Sequence, residues 1–166
     1  MTAFGMKVIA YSRNLVKEDA RKFGVEAVSM DELYGRSDFI SLNVPLTDET
    51  RNLINFEAFK KCKLGVRIVN TARGPILNQS DAIRDLDQNL CAGIGTDVFD
   101  EEPPKSAETW RFIQHEKVIA TPHLAAISVE SIKQAVVDAA EQAVQWIRGQ
   151  PVPNCVNPST LSYSGD

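Results

Sequence analysis

Short apolar runs alternate with amphipathic stretches along most of the chain. Lys7 to Tyr11, Glu26 to Val28, Asp38 to Val44, Val66 to Thr71, Ala92 to Val98 and Lys117 to Ala120 predict β-strands. Between them, Leu15 to Phe23, Met30 to Leu33, Phe56 to Cys62, Asp81 to Gln88 and Ala107 to Gln114 predict helices or helical turns. Asn55 and Ser80 stand where N-caps belong, and Pro45 and Gly74-Pro75 stop strands. This alternation predicts an α/β fold, with a mostly parallel sheet covered by helices on both faces.

The last helical stretch is longer. Val129, Ile132, Val136, Ala139, Ala140, Ala143, Val144 and Ile147 form one apolar stripe, capped by Ser128 and ended by Gly149 and Pro151. The expected organisation is a domain over residues 1–127, a long helix over 128–149, and an extended or disordered tail over 150–166.

Three polar blocks follow apolar strands: Asn70-Thr71-Ala72-Arg73-Gly74, Asp97-Val98-Phe99-Asp100-Glu101-Glu102-Pro103, and Thr121-Pro122-His123-Leu124. Arg73, Glu102 and His123 are thereby placed just beyond the carboxyl ends of successive strands, where open α/β sheets bind ligands. Taken singly, an Arg-Gly is a turn, a Glu-Pro a loop entry and a His after proline a structural residue. Brought together in this order, they can bind a carboxylate and move a proton.

Composition narrows the function further. The 166 residues suffice for one domain with a core, and 43% hydrophobic with 24% charged residues is ordinary for a globular protein. A net charge of −4 and scattered basic residues argue against nucleic-acid or membrane-surface binding. Cys62, Cys91 and Cys155 have no metal-type spacing and read as idle thiols in a reducing compartment. No run approaches a membrane span, and the start lacks a secretory pattern, so a cytoplasmic location is expected.

From Ser37 to Thr47, with Thr50 and Asn55, then Gly65 to Gly74, Asp97 to Pro104, Thr121 to Ala125 and Val152 to Asn157, the sequence resembles the D-isomer-specific 2-hydroxyacid dehydrogenases. Members acting on 3-phosphoglycerate are the nearest in pattern. The resemblance implies a Rossmann-type doubly wound parallel sheet and hydride transfer between a nicotinamide cofactor and a D-2-hydroxy acid. It implies His123 as acid/base, Glu102 as its orienting carboxylate and Arg73 as the clamp on the substrate carboxylate, a two-point contact suited to a guanidinium. It further implies that Val44, Pro45, Thr50, Thr71, Ala72, Arg73, Asp97, His123, Leu124, Ala125 and Ala126 contact NAD or NADP. No metal is implied, and a homodimer is expected of the full-length protein.

The sequence departs from that pattern in three ways. It contains no G-x-G-x-x-G turn, the element that cradles a pyrophosphate. The expectation is an incomplete Rossmann sheet: the chain is a fragment whose first two strands are cut off from the rest by a missing central strand, and which alone binds dinucleotide above ~1 mM. Tyr11 is followed by Ser12 and Arg13, which suit the 2′-phosphate of NADP better than bare ribose, unless Arg13 simply opens the next loop. Asn78-Gln79 replace an acidic pair, and Ala125 and Ile127 replace smaller residues in the turn after His123. Glyoxylate or hydroxypyruvate reduction is the alternative activity. A truncated, catalytically inactive nucleotide- or partner-binding relative is the alternative of another class.

Overall fold

In the computed structural model, which describes residues 2–157, four of the apolar runs become one parallel sheet. Its strands are β3 (Phe39–Leu42), β4 (Val66–Asn70), β5 (Cys91–Thr96) and β6 (Val118–Ala120), in the order β3-β4-β5-β6. β1 (Ile9–Ala10) and β2 (Glu26–Ala27) pair with each other in a separate parallel ladder. Among the described residues no ladder joins β1 to β3. This is the separation of the first two strands from the rest that the sequence predicts.

Parallel neighbours require crossovers, and helices supply them. α1 (Lys17–Lys22) links β1 to β2, and α2 (Met30–Arg36) links β2 to β3. α3 (Phe56–Lys61), α4 (Gln79–Asp87) and α5 (Ala107–Ile113) connect the four-stranded sheet. The core lies between that sheet and these last three helices. Ile40, Leu42, Val66, Ile68 and Ile94 meet Ala58, Phe59, Ala82, Ile83, Leu86 and Phe112, all buried. Burying such side chains contributes about 1.5–3 kcal/mol each relative to exposure.

Burial of the sheet departs from expectation. β3 alternates exposed and buried positions, and β4 buries Val66, Ile68 and Asn70 while Arg67 faces out. On the outward side Phe39 and Ile119 are 52% and 77% exposed, and Arg67 lies over the Phe39 ring at 5.3 Å. One face of the sheet is covered rather than two.

Local signals explain most helix ends. Ser29 and Glu32 form a capping box on α2, which extends to Arg36 rather than stopping after one turn. Asn55 caps α3 through the Ala58 N–H at 3.1 Å. The N-cap of α4 is Asn78, which accepts from Asp81 N–H at 3.0 Å, and not Ser80 as expected. Ser80 lies inside the first turn, and its hydroxyl donates to Glu108. The predicted first helix also loses Leu15 and Val16, and the first strand shrinks to two residues.

The chain divides into two compact units at the His123/Leu124 boundary. The second unit contains α6 (Val129–Ile147), with Ser128 and Ser131 forming its capping box. Gly149, at φ +68°, turns the chain so that Gln150 N–H reaches Gln145 O at 2.9 Å, closing the helix. None of the α6 residues is buried, and its stripe leaves Val129, Val136 and Ile147 largely exposed. Of the expected tail, residues 158–166 lie outside the described residues.

Candidate active site

The carboxyl ends of β3, β4, β5 and β6 open on one edge of the sheet, and each carries a loop with candidate residues. β4 ends at Asn70, and Thr71 to Arg73 lead into a 3-10 turn, Gly74–Ile76. β5 ends at Thr96, and the chain from Asp97 to Pro104 loops out. β6 ends at Ala120 and leads directly to Thr121-Pro122-His123.

A close side-chain pair bridges the last two loops. His123 Nδ1 lies 2.6 Å from Glu102 Oε2, and both side chains are partly exposed, at 45% and 37%. The other Glu102 oxygen accepts from Phe99 N–H at 3.0 Å. Partial desolvation works to raise the Glu102 carboxyl, but the His123 ring, the Phe99 N–H and the Arg73 charge outweigh it and hold it below its usual value. Arg73 is therefore close enough for its charge to act on Glu102. The three residues singled out by the sequence are assembled in one place.

The imidazole is aimed by an unusual backbone. His123 has φ +54°, a left-handed conformation, and its N–H bonds back to Thr121 O at 3.0 Å. A non-glycine residue there costs about 1 kcal/mol, which the surrounding turn must offset. With Nδ1 on the carboxylate, Nε2 is the nitrogen left to face a substrate. A carboxylate-paired imidazole of this kind can hand over or take a proton.

The loops are also pressed together. A Cβ at Gly74 would lie 2.0 Å from the Phe99 carbonyl carbon and oxygen and 2.6 Å from Asp100 N. Only glycine permits that approach, so the Arg73 and Glu102 loops pack backbone on backbone. Behind Arg73, hydrogen bonds from Asn52 N–H to Pro75 O (2.8 Å) and from Ile54 N–H to Ile76 O (3.0 Å) tie the same loop to the chain after β3. Arg73 is exposed, with Nη1 donating to Ala72 O at 2.5 Å.

The remaining candidates fall on the same edge or beyond it. Val44 is partly buried and Pro45 exposed just past β3, and the Thr71 and Ala72 backbone flanks Arg73. The Thr50 hydroxyl donates to Pro45 O and accepts from Thr47 N–H, each at 2.7 Å, so it shapes its own loop. Asp97 is 7% exposed and accepts from the Thr121 hydroxyl. Ser12 and Arg13 lie in the turn after β1. The Thr47 hydroxyl at 2.6 Å and, further down the order of effect, the Arg13 charge hold the Glu49 carboxyl below its usual value. Leu124, Ala125 and Ala126 are exposed residues of the second unit.

Sequence reasoning passed over Asn70 and Phe99. Asn70 is 1% exposed, and its amide bonds both Ala72 N–H and Arg73 O. Phe99 supplies the N–H that fixes Glu102. Asn70 had a signal, a polar amide closing an apolar strand two residues before a turn. A backbone donor such as that of Phe99 leaves none.

Among the described residues no three His, Cys, Asp or Glu side chains gather as a metal site, and no helix is long and apolar enough to cross a membrane. The donor set fits the nicotinamide end of a dinucleotide, since the Asp97 carboxylate can accept from a carboxamide while Val44 and Ala72 offer apolar surface.

Comparison with known proteins defines the class. Residues 1–125 match the family described as D-isomer specific 2-hydroxyacid dehydrogenase, NAD binding domain. The chain belongs to this family. It is 38% identical over 162 residues to D-3-phosphoglycerate dehydrogenase of Rattus norvegicus, covering 98% of this chain and 30% of the relative. In structure it is similar to D-lactate dehydrogenase from Aquifex aeolicus, solved with NAD and lactic acid, at TM-score 0.79 and 31% identity, covering 89% of this chain and 48% of that one. A glyoxylate reductase from Paecilomyes thermophila aligns at TM-score 0.75 and 32% identity, covering 88% and 43%. The chain thus spans about a third of the length of the curated relatives it matches.

Proposed function

We propose that this chain contributes the NAD-side catalytic residues of a D-2-hydroxyacid dehydrogenase acting on a 3-phosphoglycerate-like substrate. The 2.6 Å His123–Glu102 pair with Arg73 beside it carries the reading. Bound nicotinamide would accept or supply the hydride. His123 Nε2 exchanges the proton of the substrate hydroxyl, and Glu102 holds the ring by Nδ1. Arg73 grips the carboxylate, and the two contacts together would orient the hydroxyl-bearing carbon toward His123. Val44, Pro45, Thr50, Thr71, Ala72, Asp97 and the residues His123 to Ala126 would line the cofactor. The similarity to a glyoxylate reductase keeps glyoxylate or hydroxypyruvate reduction as the second reading.

The test is a chimera with the amino-terminal region of the rat phosphoglycerate dehydrogenase fused ahead of this chain. It is expected to reduce 3-phosphohydroxypyruvate with NADH, and His123→Ala should lower kcat by about 10²–10⁴-fold. Unchanged turnover in that variant would remove His123 from the mechanism. The chain by itself is expected to bind either dinucleotide above ~1 mM in calorimetric titration, because it contains no glycine-rich turn.

A preference for NADP belongs to the same proposal, supported by Ser12 and Arg13 after β1. A guanidinium on a 2′-phosphate contributes roughly 1.5–3 kcal/mol. The low end of that range corresponds to about tenfold in kcat/KM for NADPH over NADH. Ser12→Asp should reverse the preference. An unmodified chimera that already favours NADH would leave Arg13 as a loop residue. A cytoplasmic homodimer completes the reading, with three unpaired thiols consistent with a reducing compartment.

A further inference from the structure

Arg73 is an exposed side chain on a short loop, yet gripping a carboxylate at two points demands a fixed starting position. Its own guanidinium contact, to Ala72 O, does not supply one. The fixed element lies beneath it, where Asn70 closes β4 with 1% of its surface exposed. A buried amide is tolerated only when both of its ends are bonded.

Both ends of this amide are spent on the arginine loop. Asn70 Oδ1 accepts from Ala72 N–H at 3.1 Å, and Nδ2 donates to Arg73 O at 2.9 Å. The backbone carbonyl of Asn70 meanwhile accepts from Asp97 N–H at 3.1 Å, joining β4 to the start of the Glu102 loop. On the far side, Gly74 closes on the Phe99 carbonyl, whose own N–H holds Glu102. The loop is pinned from below by one planar side chain and from beside by one backbone contact.

We propose that Asn70 is a positioning residue for Arg73, its buried amide setting where the guanidinium stands for a 2-hydroxy or 2-keto carboxylate. The proposal rests on the reading of Arg73 as the carboxylate clamp. The chemistry is selective for an amide. Aspartate could accept from Ala72 N–H but would present an acceptor to the Arg73 carbonyl. Serine is too short to reach both groups, and leucine leaves both unsatisfied. None of these changes touches the His123–Glu102 bond. Loss of Asn70 therefore damages carboxylate capture and spares the proton-transferring pair.

The experiment uses the ¹⁵N-labelled chain titrated with glycolate, the smallest 2-hydroxy acid, following the Arg73 Nε–H and Ala72 N–H signals by NMR. In the wild-type chain both should shift saturably. Asn70→Leu, neutral and close in shape, should weaken glycolate binding by at least about tenfold while the His123 ring and Phe99 amide signals stay in place. Asn70→Ser, less bulky, should show the same split should the leucine variant not fold. Either folded variant binding glycolate within about twofold of wild type overturns the proposal. Loss of the His123 and Phe99 signals together with that of Arg73 in both variants also overturns it, by showing that Asn70 merely holds the fold. Silence of the wild-type chain towards glycolate instead removes Arg73 as the clamp, and the purpose of Asn70 with it.

Discussion

The first unit contains two parallel sheets made from similar residues and held in different ways. β3 to β6 carry Ile40, Leu42, Val66, Ile68 and Ile94 into a shared core. β1 and β2 are two residues long each, in register at Ile9↔Glu26 and Ala10↔Ala27, and neither strand is fully buried. Backbone bonds from Glu26 N–H to Val8 O (3.2 Å) and from Val28 N–H to Ala10 O (3.0 Å) join the small sheet, and charge adds to them: Arg36 reaches both Glu26 oxygens at 2.9 and 2.7 Å, and Lys7 approaches Glu26 at 3.7 Å. Exposed pairs of this kind are weak and screened by salt. Arg73, Glu102 and His123 grow from the packed sheet, whereas Ser12 and Arg13 grow from the loose one. The geometry proposed for proton transfer is built on apolar burial, and the residues proposed to discriminate cofactors stand on softer ground.

The sharpest way to break this contrast is to remove apolar volume from each sheet. Ile68→Ala should cost about 2–5 kcal/mol by denaturant unfolding, because Ile68 has no exposed surface. Ile9→Ala, on a half-buried strand, should cost about 1 kcal/mol or less. Equal losses would mean that the two sheets unfold as one.

A smaller effect is expected where the site loops touch. Gly74→Ala forces a methyl group into the Phe99 carbonyl, so the loops must part at a cost of about 1–3 kcal/mol. The Phe99 N–H to Glu102 bond should loosen with them, seen as faster amide exchange at Phe99. Exchange left at the wild-type rate would show that the two loops are independent.

The smallest effect is one of pH. The Glu102 carboxyl is held below its usual value of 4.5 in the folded chain. Its contribution to stability is therefore present above that unfolded value and lost as pH falls through the lower folded one. Glu102→Gln should remove that part of the acid-induced loss, flattening the stability profile at and below about pH 4.5. The solvent-exposed fraction of the side chain keeps the change small. An identical profile in the variant would show that the pairing with His123 does nothing for the fold.

The order of strands and helices was legible because apolar runs and caps repeat at the periods of their elements. One-sided burial was legible too, in principle: Ile40-Ser41-Leu42 and Val66-Arg67-Ile68 alternate apolar inward with polar outward positions, as a half-covered sheet does, although the outward Phe39 breaks the pattern. A parallel sheet raised the expectation of two covered faces and overrode that signal. The α4 cap was misplaced because Asn78 and Ser80 are both competent caps, and only the position of the Asp81 N–H decides between them. Arg73, Glu102 and His123 were visible as side chains at strand ends. The parts that aim them were less visible, since Phe99 acts through its backbone and Asn70 lies beneath the loop it holds.

The left-handed turn at residue 123 works as a filter on the genetic alphabet. With φ at +54°, the backbone admits glycine, asparagine, aspartate and histidine far more readily than any other residue. Branched or bulky side chains would have to strain the Thr121–His123 turn to occupy it. Of the four tolerated residues, only histidine ordinarily changes charge between pH 5 and 8. Random substitution at this codon would therefore be sieved first by conformation to a handful of residues, and the proposed proton transfer would then select one of them. Saturation mutagenesis would give a short list of folded proteins and a still shorter list of working ones.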